Sequence, residues 1–447
     1  ILNNLQKDIL GKGWLFDGEF FIFEVFRKEN TLSFVVDGST VYSVPYQEED
    51  FGKFGFAGLG NDELVVKSLE ATGEFKEWTA PPPLTRYSEG YNVPVVDLSQ
   101  DLSRQVIVAP GEDVAAISMG EHKADTTEGF QHPTTLLLDD SSTLFCVFTV
   151  GHGGSCGPLK VSRDAGLTWD WAQTPESWKA ASNCPCIHKI TDKDGIQRLV
   201  VFARREENSA MLQAISLDDG ITWSEFEENG LKCVVPPITI KAISGNRHLA
   251  LFDIADQGDR IHQSISSDGG LSWESQKEIT DGSLCLSEPC IIRSPDGNQL
   301  LAILRENSFW YNSYAIISDD EGETWSDPFE MPGAVTGHRH LARYDEDGRI
   351  VMVFRDMARG TKTPSDFVGW VGTYEDLVNC REGQHRLRLI ENSKYQPDNP
   401  GFTGYPGLER LPDGTFVATT YAVLSPGPIA SIVSVRFKLS EVDELSQ

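Results

Sequence analysis

The chain has 447 residues, 40% of them hydrophobic, which is enough for a large buried core and too much chain for one ordinary small domain. Its 38 basic and 67 acidic residues leave a formal charge of −29, a balance that argues against a nucleic-acid partner or docking on anionic lipid. No stretch approaches the roughly 18 apolar residues of a membrane span, so no membrane insertion is expected.

In chain order, Phe20–Arg27, Thr31–Val36 and Val41–Val44 are aromatic and β-branched runs with partial alternation, and Asp37-Gly38 supplies a hairpin turn. Phe51–Gly58 and Leu64–Leu69 read as two more strands. Together they resemble the closing part of a concanavalin-type, laminin G-like β-sandwich, which places a small partial domain at 1–78. Pro81-Pro-Pro83 reads as a linker, covering 79–103. The sequence opens at Ile1 without a charged-then-apolar leader, which fits a secreted or periplasmic protein after removal of a signal peptide.

From residue 104 to 447 the strand rhythm is regular, and one pattern recurs: Ser162-x-Asp164-x-Gly166-x-Thr168-Trp169, Ser216-x-Asp218-x-Gly220-x-Thr222-Trp223, Ser266-x-Asp268-x-Gly270-x-Ser272-Trp273 and Ser318-x-Asp320-x-Gly322-x-Thr324-Trp325. The aspartates are 54, 50 and 52 residues apart, the period of a repeat architecture. Each copy reads as a hairpin turn. The carboxylate accepts from the turn's amides, the glycine takes a positive φ, and the Trp buries a flat surface between neighbouring sheets. A second pattern, an opening strand, an Asp-Gly turn and a buried strand, runs through Glu288–Arg305, Arg339–Arg355, Tyr405–Thr420 and, more loosely, Gln131–Phe148. Segments 186–205 and 235–256 bring the count to six. The chain is therefore all-β, a six-bladed β-propeller preceded by a small β-sandwich-like domain, with the repeated turn lost in blades five and six at Thr373–Asp376 and near 435–439.

These Asp-box repeats on six blades look like those of the sialidase (neuraminidase) superfamily. Glu288, Arg339 and Tyr405 each lie nine residues before a turn glycine, at strand starts that converge on the propeller axis. In retaining sialidases a Tyr made basic by a neighbouring Glu is the nucleophile, and Tyr405 and Glu288 match those places. The resemblance implies that Arg305 is one member of an arginine clamp on a substrate carboxylate, and Arg339, Arg355 or Arg359 could join it, with Arg339 and Arg355 taken as the candidates. Where sialidases open the first blade with Arg-Ile-Pro, this chain has Gln131-His132-Pro133, and Gly151-His152-Gly153-Gly154 follows the next strand. His132 and His152 are acid/base candidates, as is Asp125 by position alone; His338, His340 and Arg204 are further substrate contacts. The histidines lack helical metal-ligand spacing, and Cys184-Pro-Cys186 lacks a matching pair, so neither a metal nor another cofactor is expected.

The resemblance implies a glycoside hydrolase removing a terminal acidic sugar from a glycan. Two alternatives stand beside it: a propeller lyase acting on a uronate polysaccharide through His and Tyr, and a carbohydrate-binding propeller without catalysis.

Overall fold

The computed structural model describes residues 23–28, 31–36, 39–45, 91–117, 126–254, 259–392, 402–425 and 429–446. The runs at 51–58 and 64–69, the Pro81–Pro83 stretch and Asp125 lie outside these residues. The chain divides into two compact units, Ile1–Thr79 and Ala80–Gln447. In the first, Phe23–Lys28, Thr31–Val36 and Ser39–Pro45 form one antiparallel sheet in sequence order.

The second unit is a six-bladed propeller. Blade 1 is Phe130–Leu137, Leu144–Val150, Leu159–Ser162 and Asp170–Trp171; blade 2 is Ser182–Thr191, Gln197–Arg204, Ala210–Ser216 and Glu227–Lys232. Blade 3 comprises Ile240–Ile243, Arg247–Ile254, Arg260–Ser266 and Lys277–Glu278, and blade 4 Leu286–Arg293, Leu300–Glu306, Tyr314–Ser318 and Phe329–Glu330. Blade 5 is Gly337–Tyr344, Ile350–Asp356, Phe367–Gly372 and His385–Ile390. Val95–Asp97, from the stretch expected as a linker, adds to its outer edge in parallel. Blade 6 takes Gly407–Arg410, Phe416–Ala422 and Ser431–Phe437 from the end of the chain and is completed by Gln105–Ala109 from the beginning.

Sequence explains why the second strand of each blade lies deepest. Leu144–Val150, Leu300–Glu306 and Ile350–Asp356 are near-continuous apolar runs, the pattern of strands covered on both faces. Phe202, Phe252 and Phe354 on these strands are fully buried, each contributing about 1.5–3 kcal/mol of apolar burial. One contiguous core runs through blades 4 to 6, including Ile303, Val353, Trp370, Ala418 and Val433.

The four repeated turns share one hydrogen-bond pattern. The Ser hydroxyl donates to the Asp carboxylate and accepts from the Gly amide. The Thr or Ser four residues after the Asp donates to it through both amide and hydroxyl. Two of the turns also join blades through a reciprocal Trp–Gln exchange. The Trp273 indole donates to Gln213 Oε1 at 3.2 Å while Gln213 donates back to Gly270 O at 3.3 Å, and Trp325, Gln263 and Gly322 repeat the exchange one blade later. In blades 5 and 6 the turn is replaced by short helices, Tyr374–Val378 and Leu439–Leu445. In the first, Thr373 and Asp376 close a reciprocal capping box.

Candidate active site

Five blades open their inner strand with the same irregularity. His132, Cys184, Glu288, Arg339 and Tyr405 have φ of 51°, 48°, 50°, 57° and 56°, a left-handed conformation that costs a non-glycine residue about 1–3 kcal/mol. In blades 1, 2, 4 and 5 the pairing with the second strand slips at this point, between Gln131 and Thr134, Ser182 and Cys186, Ser287 and Cys290, and His338 and Leu341. Such a bulge re-aims one side chain. The residue preceding it pairs with the end of the second strand, so Thr149, Arg305 and Arg355 form a neighbouring tier.

Three side chains meet at the centre. The Tyr405 hydroxyl donates to Glu288 Oε1, and Arg305 Nη1 donates to the same oxygen at 2.9 Å and to the Tyr405 hydroxyl at 3.1 Å. Glu288 is 1% exposed and its Oε2 has no partner among the described residues. Burial pushes the Glu288 carboxyl up, but Arg305 and Arg339 outweigh it and hold the group below its ordinary range. Burial, aided by the Glu288 charge, pushes Tyr405 well above the usual phenol. The resting pair is thus a neutral phenol hydrogen-bonded to a carboxylate.

Arg355 donates to Tyr421 Oη at 2.7 Å and Thr403 O at 2.5 Å, and its guanidinium lies 5.5 Å from the Tyr405 ring centre. Arg339, 1% exposed, donates to Cys186 Sγ and Pro236 O, both at 3.0 Å, and lies 5.7 Å from the same ring. Arg305 is therefore the arginine tied directly to the Tyr–Glu pair, while Arg339 and Arg355 charge its surroundings from buried seats.

The histidines divide. The His132 ring lies 4.5 Å from that of Tyr405 and 4.7 Å from that of His152. Burial first, then the positive neighbours, lowers His132 and His338 well below the usual imidazole range, so both rings are neutral. Their Nδ1 atoms accept, from Gly153 N at 3.4 Å and from Arg355 Nη1 at 3.5 Å, which leaves each Nε2 as an unpartnered N–H. His152 has the opposite tautomer. Its Nδ1 donates to Gln131 Oε1 at 3.3 Å, Gln131 is itself oriented by Glu128, and the Nε2 carries no proton, because burial and then Arg355 hold the ring below the usual imidazole range.

Two of the expected contacts fall outside the group around Tyr405. His340 follows Arg339 along the strand, where side chains alternate faces, so its ring turns into the core against Phe354 and its Nε2 donates to Val335 O at 2.8 Å. Arg204 is held in its own loop by Glu206 and Ser209 at 2.8 and 3.0 Å.

The structure adds residues that the sequence reading passed over. Cys184 occupies the blade 2 bulge. Asp253 ends the blade 3 second strand as Arg305 and Arg355 end theirs; it is 2% exposed, its Oδ1 has no partner among the described residues, and burial pushes it up to about 7. At the rim, Phe309 and Trp310 are 48% and 43% exposed, with Phe309 at φ 62°. The Phe309 ring lies 5.4 Å from His338, and Glu306 fixes the loop by accepting from the amides of Ser308, Trp310 and Tyr311. Among the described residues no group of His, Cys, Asp and Glu is arranged to hold a metal ion.

No protein-family model and no curated protein sequence matches the chain. Solved structures do. A protein of unknown function from Dyadobacter fermentans is similar at TM-score 0.54 and 16% identity, over 74% of this chain and 98% of that one. The Hadza microbial sialidase Hz136 is similar at TM-score 0.51 and 16% identity, over 70% of this chain and 66% of that one. The intramolecular trans-sialidase from Ruminococcus gnavus aligns at TM-score 0.47 and 14% identity, over 74% of this chain and 99% of that one. At these identities the likeness establishes the fold, a six-bladed propeller with sialidases among its structural neighbours.

Proposed function

We propose that the protein is an extracellular glycoside hydrolase that removes a terminal acidic sugar from a glycan, with Tyr405 as nucleophile and Glu288 as its base. The observation that carries this reading is the hydrogen bond from Tyr405 to a buried carboxylate, with Arg305 bonded to both. A neutral phenol approaches an anionic sugar without charge repulsion and transfers its proton to Glu288 as it attacks. Arg305 makes Glu288 a weak base at rest. A substrate carboxylate arriving at Arg305 offsets that positive field, so Glu288 becomes more basic only when substrate is bound. His152, exposed and 4.7 Å from His132, serves as the acid/base. The fixed Phe309–Trp310 edge offers a stacking face for the next sugar ring. The sialidases among the structural neighbours agree with a carbohydrate-active propeller.

Elimination from a uronate is the second reading, favoured by the His132–Tyr405 ring contact. It requires an unprotonated imidazole nitrogen facing the substrate, which falls to His152, since the Nε2 of His132 carries the proton. Assay against sialosides and uronate polysaccharides decides between them. The hydrolase releases a free sugar with retained configuration, and Tyr405→Phe and Glu288→Gln each lower kcat by at least about 10³-fold. Growth of unsaturated-uronate absorbance, or unchanged release by both variants, overturns the assignment.

A further inference from the structure

Four residues beyond the left-handed residue in five blades, and at the matching register in blade 3, the inner strands lay a second tier across the propeller axis: Leu136, His188, Lys241, Ile292, Arg343 and Glu409. They pair with equivalent positions of the six second strands, Phe145, Val200, Leu249, Leu301, Val351 and Val417. At about 3.3 Å per residue this tier lies roughly 13 Å along the strand from Tyr405. A cavity of about 360 Å³ opens there, with Lys241, Arg343, His188 and Thr135 in its wall.

The charges in this tier are unbalanced in an unexpected direction. Among the described residues Lys241 has no carboxylate partner; the titratable groups around it are Arg343, Cys290 and Arg293. Burial, reinforced by the two arginines, lowers its ammonium to about 8. Arg293 is turned away, donating to Gly297 O and Ala242 O at 2.7 Å each. Arg343 reaches one carboxylate, Glu409, at the long distance of 3.5 Å, and Glu409 is already accepting from Thr135 at 3.2 Å. Burial pushes Glu409 above its ordinary range, which weakens it further as a counter-ion. His188 donates its Nε2–H to Pro237 O at 2.8 Å and is lowered to about 4, so it brings no charge. A chain of net charge −29 thus sets two under-neutralised, half-buried cations in the wall of this open cavity. Removing such charge from water is costly unless an opposite charge accompanies it.

We propose that this axial cavity binds an oxyanion, a carboxylate, sulfate or phosphate group, between Lys241 and Arg343. The site is separate from the Tyr405 group and does not depend on the hydrolase reading. Its volume admits a small organic acid or an inorganic anion and excludes a polymer.

Calorimetric titration of the full chain tests the proposal, with sodium sulfate and sodium malonate as separate probes against sodium chloride at constant ionic strength. The expected result is one saturable site for at least one probe, weakened tenfold or more in Lys241→Met and in Arg343→Met. Affinity falls between pH 7 and 9 as Lys241 loses its proton. Lys241→Gln serves if the Met variant does not fold. Kosmotropic anions stabilise proteins generally, so a rise in Tm that is equal in wild type and variants, with no calorimetric site, overturns the proposal. Binding that survives both substitutions overturns it as well.

Discussion

Asp253 is a carboxyl group sealed beside Glu288 and Arg339, and its position carries a measurable cost. Its folded pKa of about 7 lies above the ordinary 3.8, so between those values the folded protein keeps a proton that the unfolded chain has released. Stability therefore falls as pH rises through that window and levels off above it, by at most about 4 kcal/mol. Asp253→Asn is expected to raise Tm at pH 8 and leave it nearly unchanged at pH 3.5, read by thermal denaturation; a lower Tm at pH 8 contradicts the account. Nothing in the sequence announces this residue. Glu288, Arg339 and Tyr405 were legible because each keeps a fixed distance to a turn glycine, and blade 3 has Pro236-Pro237 where the others present a polar group. Cys184 was hidden for another reason, since a cysteine in an apolar strand reads as core. His340 misled because adjacency in sequence to Arg339 is opposition in space.

At the scale of the element, the repeated turn separates two effects of a glycine. Gly220 has φ of 81° and packs so closely that a methyl group there would overlap the Phe145 ring of the preceding blade. Gly195 has nearly the same φ, 80°, with nothing within 4 Å. Gly195→Ala should cost about 1 kcal/mol, the conformational share alone, and Gly220→Ala at least about 2 kcal/mol, the difference measuring the inter-blade contact. Equal losses in chemical denaturation would show that the turn does not join blades 1 and 2. The four turns were legible as a period, because their hydrogen bonds need those residue types at that spacing. The helices that replace them, Tyr374–Val378 and Leu439–Leu445, show in the sequence only as missing turns, since five to seven residues carry little helical periodicity.

Over the whole molecule, six blades could be counted from sequence, but the way the ring closes could not. Gln105–Ala109 and Val95–Asp97 are too short and too far from their partners for any local pattern to assign them. A chain beginning at residue 80 should keep the propeller's cooperative unfolding transition. One beginning at residue 111 loses both strands and should unfold at a markedly lower temperature, by calorimetry; equal transitions would mean that the closing strand is dispensable. The same closure has a consequence during synthesis. Gly111 donates to the Ser431 hydroxyl, 320 residues further on. At about 5–20 residues per second, the strand beside Gly111 leaves the ribosome roughly 15 s to 1 min before its partner exists. For that interval the nascent chain carries an unpaired strand edge, the kind of surface open to wrong pairing with another chain.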